Sequence, residues 1–191
     1  MKRILLVMGL FICAAAFAQA PAPTPSGKAP APSAQGPTKD PVATSLRMLL
    51  PRSQNNTVGA LEAMPADKFS YKPTPDQVTF AHLAAHIGSS NNLLCSKVAD
   101  VAPPKVDEPK ETDSKDQLVA AVKASYSVCS DALSKMDDSK LGDTVELFGG
   151  RQFPRAMGAL GLASGWADHY ATAAMYLRMN GLLPPSAQPK K

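Results

Sequence analysis

At 191 residues, with 45% hydrophobic and 19% charged side chains, the chain is long enough for one compact domain and has no composition bias that forbids a core. Its formal net charge of +4 falls to about +2 without the first twenty residues (18 basic against 16 acidic), so the basic pI carries little meaning. Lysines and arginines are scattered rather than gathered into a stripe interleaved with aromatics, which excludes nucleic acid as a partner.

The chain opens with Lys2 and Arg3, an apolar run from Ile4 to Phe17, and the A-x-A triplet Ala18-Gln19-Ala20. The run is short for a membrane span, and the pattern predicts a secretory signal over residues 1–20. The protein is therefore expected to be exported, to the periplasm or beyond in a bacterium, without a membrane span once the signal is removed. An uncleaved anchor is the alternative. Ile12 before Cys13 argues against a lipoprotein site. Residues 21–40 are rich in Pro, Ala and Ser and nearly free of large apolar side chains, so they are expected to form a disordered linker. The composition of residues 186–191 is similar and predicts a disordered tail. The folded domain is then expected over 41–185.

Within that domain helical periodicity appears four times, and strand-like alternation does not persist anywhere. Helix one is expected from Pro41 to about Met64, with Pro51 kinking or restarting it. A proline-punctuated loop leads to helix two, about Val78 to Val101. Asp113 or Ser114 is placed to cap helix three, whose Val122, Tyr126, Cys129, Leu133 and Met136 recur at spacings of 4, 3, 4 and 3. A polar crossing that contains "VELFGG" leads to helix four, about Pro154 to Asn180, stopped by Gly181 and Pro184-Pro185. On helix four Leu162, Trp166, His169, Ala173 and Tyr176 share one face. The fold class read from this pattern is all-α, a four-helix bundle, with ligand sites expected between facing helices.

Loss of Cys13 with the signal would leave Cys95 and Cys129 as the only pair in an oxidising compartment. A disulfide between them is reasonable if helices two and three are antiparallel neighbours; two buried thiols, or one reactive thiol, are the alternatives. A Cys–His nucleophilic pair within helix two is excluded. His86 and Cys95 are nine residues apart, and at about 100° per residue they point to roughly opposite sides.

His82 and His86 lie one turn apart, a spacing at which two imidazoles can reach one metal ion, although two half-exposed surface histidines fit as well. His169 lies in the middle of its apolar stripe and is expected to face the bundle interior, as a metal ligand or as a hydrogen-bonded core histidine. Gly158, Gly161 and Gly165 recur at spacings of 3 and 4 along helix four, which allows close helix approach or leaves a groove.

"AHLAAHIGSSNNLLCS", "VELFGG" and "WADHYATAAMYLRMNGLLPPS" together resemble the DinB family of bacterial four-helix bundles, over about Arg47 to Ser186. The resemblance implies a divalent metal, zinc or nickel, held by one histidine of helix two and an H-x-x-x-H pair of helix four. It implies His86 and His169 as two of these ligands. The third falls on Gly165, which has no side chain to bind with, and "HYAT" stands where "HYGQ" is common. His82, or a carboxylate such as Asp168 or Glu146, is the candidate replacement. Ser89, Gly165, Trp166 and Tyr170 are expected to line the pocket.

Two functions follow from this resemblance. One is an exported DinB-like bundle with a partly degenerate histidine metal site that binds a small molecule and has weak or lost activity. The other is a divalent-metal-dependent thiol transferase or hydrolase-like enzyme that uses His86 and His169. A homodimer is a further possible assembly of such bundles.

Overall fold

The structure, a computed structural model, describes residues 36–189; the expected signal, most of the linker and the last two residues lie outside them. Helices α1 (Pro41–Ala63), α2 (Phe80–Ala99), α3 (Lys115–Ser134) and α4 (Arg155–Met179) account for most of the described chain, as an all-α bundle requires.

The helix ends follow from local chemistry. Pro41 occupies the first turn of α1, where a missing N–H costs nothing, and the Asp138 carboxylate accepts from the amides of Val42 and Ala43, each at 2.9 Å. Pro51 does not interrupt α1; it lies on the exposed side, where water can take up the backbone acceptor it leaves unpaired. Thr79 caps α2 by accepting from the His82 amide at 3.0 Å. Ser114, rather than Asp113, caps α3 through a reciprocal box with Gln117. Helix α4 ends in a Schellman motif: Gly181 takes φ +74°, and Leu182 donates to the Leu177 carbonyl at 2.9 Å.

Cross-helix contacts fix the directions. Tyr126 of α3 donates to Thr57 of α1 at 3.2 Å, while Arg47 near the start of α1 reaches the Leu133 and Met136 carbonyls at the end of α3, so α1 and α3 are antiparallel. Asn91 donates to Ser125 at 3.1 Å and Cys95 is bonded to Cys129, so α2 and α3 run parallel. Trp166 donates to Asn91 and Arg155 to the Lys97 carbonyl, so α4 is antiparallel to α2. The Cys95–Cys129 bridge therefore joins parallel neighbours, not the antiparallel ones for which it was considered. Joining parallel neighbours requires the connection from Asp100 to Ser114 to return along the bundle. It has the length to do so, since α2 rises about 30 Å and an extended chain covers about 3.3 Å per residue.

The connection between α3 and α4 is also more structured than a polar crossing. Strands β1 (Thr144–Leu147) and β2 (Arg151–Pro154) form an antiparallel hairpin with Leu147 opposite Arg151. Its three loop residues, Phe148, Gly149 and Gly150, have φ of +44°, +79° and +86°. Two glycines accept that geometry freely, whereas Phe148 carries a Cβ in the left-handed region.

The C-terminal segment extends the packed domain beyond Pro185. Pro185–Ala187 forms a 3-10 turn in which the Ser186 amide donates to the Tyr170 hydroxyl at 2.9 Å, and that hydroxyl donates to Ser186 Oγ at 2.6 Å. The Pro185 ring rests where a Gly59 side chain would begin, 3.0 Å from an added Cβ. The expected start of the tail at Ser186 is therefore too early.

Trp166, Tyr126, Tyr176, Phe80, Leu61 and Ile87 fill the centre of the bundle, all essentially solvent-free. Asn91 is buried among them, and its amide joins three helices by accepting from Trp166 Nε1 at 3.0 Å while donating to Ser125. Such a group is stable in a core only when its polar atoms are paired.

Candidate functional site

His86 on α2 and His169 on α4 meet edge to face, with ring centroids 5.1 Å apart. The antiparallel crossing of α2 and α4 brings them to the same level, and the apolar faces on either side hold that register. The His86 side reaches solvent, and its Nε2 lies 3.2 Å from Ser90 Oγ one turn further along α2. His169 is largely enclosed. Burial pushes its pKa from 6.5 down to about 4, His86 beside it acts in the same direction, and Asp168 opposes both. The imidazole is therefore neutral at pH 7, and its Nδ1 is buried without a hydrogen-bond partner.

Gly165 is one turn before His169 on α4, and a Cβ built on it would sit 3.9 Å from His169 Cε1. A side chain at 165 would therefore be directed into the space beside the histidine pair. Glycine leaves that space bare.

The other expected site residues are elsewhere. His82 is half-exposed, with Nδ1 3.2 Å from the Glu111 carboxylate, which also accepts from the Thr79 hydroxyl at 2.7 Å. The Thr79 bond, followed by that of His82, holds the Glu111 carboxyl below its usual range. This surface group ties the start of α2 to the returning connection and uses His82 there. Asp168 is exposed and acts on His169 only through space. Glu146 on β1 lines a groove with Asp100 and Arg155, at the opposite end of α2 from His86. Trp166 is buried with its indole N–H on Asn91, and its outer edge joins Tyr170, Leu49 and Ala163 in a cavity of about 300 Å³ between α1 and α4. Of the expected lining residues, Gly165 stays with the histidine pair while Trp166 and Tyr170 face this second groove. Ser89 is half-buried on α2, and its neighbour Ser90 makes the bond to His86. Ser90 is the neighbour of the histidine pair that the sequence pattern did not single out; its position one turn after His86 was the available signal.

Cys95 and Cys129 form a disulfide, fully buried, with Cα atoms 5.0 Å apart. They lie on the α3 side of α2, away from the histidines.

Comparison with known proteins places this geometry in a family. The sequence profile of the DinB superfamily matches residues 49–172, more than half of the chain. The chain belongs to the DinB superfamily. Two solved structures are similar in fold. One is a DinB-like protein from Bacillus cereus ATCC 10987, 18% identical, covering 74% of this chain and 95% of that chain with a TM-score of 0.61. The other is the DinB-like protein YjoA from Bacillus subtilis, 19% identical, covering 76% and 99% with the same TM-score of 0.61. Among curated proteins nothing matches the chain.

DinB proteins are often metal-binding, and the residues here meet that requirement only in part. The orphaned Nδ1 of His169 and the adjacent His86 ring supply two imidazoles suited to a zinc- or nickel-type ion. A catalytic centre of that type takes three protein ligands. Among the described residues no group of three or more His, Cys, Asp or Glu side chains is placed to hold an ion. The pair does not fit the three-histidine centre.

Proposed function

We propose that this protein is an exported DinB-superfamily bundle that binds a small molecule at the His86–His169 pair, in place of the metal-centred chemistry of a three-histidine site. The observation that carries this reading is the bare backbone of Gly165 beside His169. It removes a ligand and in the same step opens space next to a neutral, buried imidazole whose Nδ1 has no partner. A ligand hydroxyl or amide can satisfy that nitrogen, because neutral imidazole offers both a donor and an acceptor. Export is supported by the signal-like N-terminus and by the Cys95–Cys129 bridge, which is stable in an oxidising compartment.

Metal analysis of the purified mature protein tests the reading. Sub-stoichiometric zinc, nickel and manganese are expected, together with a thermal midpoint that a chelator does not move. One equivalent of tightly held divalent ion that is lost on His169→Ala would overturn it in favour of a metal-dependent enzyme.

A further inference from the structure

The outward face of α4 is apolar along its length. At about 100° per residue, Met157, Leu160, Ser164, Ala167, Ala171 and Met175 fall within about 80° of one another, opposite the buried stripe of Leu162, Trp166 and Ala173. All six are exposed, Leu160 at 65%, Met175 at 53% and Met157 at 45%. The outer face of a surface helix is normally polar, as in α3, which meets solvent with Asp116, Lys123, Ser127 and Asp131. Between Arg155 and Arg178, α4 carries no Lys or Arg and a single carboxylate, Asp168, at the edge of the strip. A helix that is apolar on every side is one that is covered on every side. The strip also continues beyond the helix. The half-exposed ring of Phe148 lies over Gly161, the residue after Leu160, 3.0 Å from an added Cβ. On the other flank Ala167 lines the groove of about 300 Å³ that contains the partly exposed Leu49 of α1.

We propose that this face is the interface of a homodimer in which two α4 helices cross antiparallel about a two-fold axis close to Ala167. A second copy fits the strip because the strip is self-complementary, as a two-fold contact requires. Leu160 and Met175 lie at about 11 Å on either side of the midpoint between Ala167 and Asp168, by the helical rise. Antiparallel crossing there sets Leu160 of each copy against Met175 of the partner subunit, with the small Ser164, Ala167 and Ala171 between them to let the backbones approach. The extent agrees as well. From Met157 to Met179 the strip is about 33 Å long and 10–12 Å wide, a projected area of roughly 350 Å² on each copy. Its ridged accessible surface is larger, and Phe148 and Leu49 add to it on the two flanks. That brings the contact to the small end of specific interfaces, about 1,200 Å² in total. The dimer is therefore expected to be reversible, with a Kd on the order of 1–100 µM.

Sedimentation equilibrium of the mature protein across that concentration range should show the average mass rising from one chain towards two. Leu160→Glu and Met175→Glu should each weaken the association about 10-fold or more, the range for a charge placed against an apolar partner. Met48→Glu alters the most exposed large apolar side chain of α1, 76% exposed and outside the strip, and should leave the association unchanged. These residues are all exposed, so the variants should keep the monomer's thermal midpoint to within a few degrees. Oxidative cross-linking tests the direction. Ala167→Cys is near the axis and should give a disulfide-linked dimer. Met157→Cys, about 30 Å from its own copy in the antiparallel pair, should not. A chain that stays monomeric throughout, or an association that survives both α4 substitutions, overturns the proposal. Cross-linking through Met157→Cys as readily as through Ala167→Cys overturns the antiparallel pairing.

Discussion

Restoring a side chain at Gly165 tests the account of the site most directly. Gly165→His places an imidazole one turn before His169, at a position whose Cβ would be 3.9 Å from His169 Cε1 and clear of other side chains. His86 already faces His169 at 5.1 Å between ring centroids, so the variant would gather three imidazoles at one place. Two effects add. Replacing a helix-interior glycine gains up to about 0.5–1 kcal/mol in any solution, because the unfolded chain loses conformational freedom. A metal that binds only the folded state adds about 2.7 kcal/mol at a free concentration of 100 times Kd and about 4.1 kcal/mol at 1,000 times. For a domain of this size, 4 kcal/mol corresponds to a rise of about 10 °C or more in Tm. Thermal melts with and without zinc, for wild type, Gly165→Ala and Gly165→His, separate the two effects. Gly165→Ala should show the small zinc-independent gain, and Gly165→His the large zinc-dependent one, with about one zinc retained per chain after desalting. A folded Gly165→His protein whose Tm is indifferent to zinc would show that the groove cannot gather three ligands. Gly165 would then no longer explain the missing centre.

Other consequences are open to measurement. Reducing Cys95–Cys129, or replacing both residues with serine, should lower stability by about 3–4 kcal/mol for a bridge spanning 34 residues. Thiol labelling of the denatured, unreduced protein should find neither cysteine free, and modification of both would refute the bridge. The folded pKa of His169, about 4, is below its ordinary 6.5, so the unfolded chain binds the proton more strongly. Stability should therefore be fully present above pH 6.5 and fall as the pH drops towards 4, by at most about 3 kcal/mol and less where the groove admits water. In chelator-treated protein, urea midpoints should lose much of this slope in His169→Gln; an unaltered slope would assign it to other groups. Asn91→Leu should cost about 2 kcal/mol, because it strands the Trp166 N–H in the core. In a double-mutant cycle, Trp166→Phe should cost less in the Asn91→Leu background than in wild type, and strict additivity would contradict the bond.

The helices were legible because their apolar residues recur with the helical period and their ends carry caps, as Ser114 and Gly181 show. The hairpin was not: its strands are four residues each, too short for alternation to stand out, and its clearest mark is the Phe148-Gly149-Gly150 loop. The parallel run of α2 and α3 depends on contacts between distant residues that no local pattern specifies. The same separation divides the site. The facing of His86 and His169 follows from the apolar stripe of helix four and the family resemblance, and the structure brings those rings together. The role of His82 depended on a partner outside its helix, Glu111, 29 residues away. Trp166 and Tyr170 share a helix with His169, but the groove they line is set by the packing of α1 and the C-terminal turn.

A bundle that relied on an ion to join α2 to α4 would need a replacement once a ligand was lost, and this one has several. Arg155, 93% buried at the start of α4, donates to the Lys97 carbonyl and contacts Asp100 at 3.2 Å, which fastens one end of the α2–α4 contact. The Trp166–Asn91 bond holds its middle, and the disulfide fixes α2 to α3. None of these involves a histidine. The fold therefore does not constrain what occupies the histidine groove, and His86, His169 and Gly165 are free to be shaped by a ligand. This is the physical reason to expect that a chelator leaves the midpoint of wild type unmoved while substitutions in the groove alter binding more than stability.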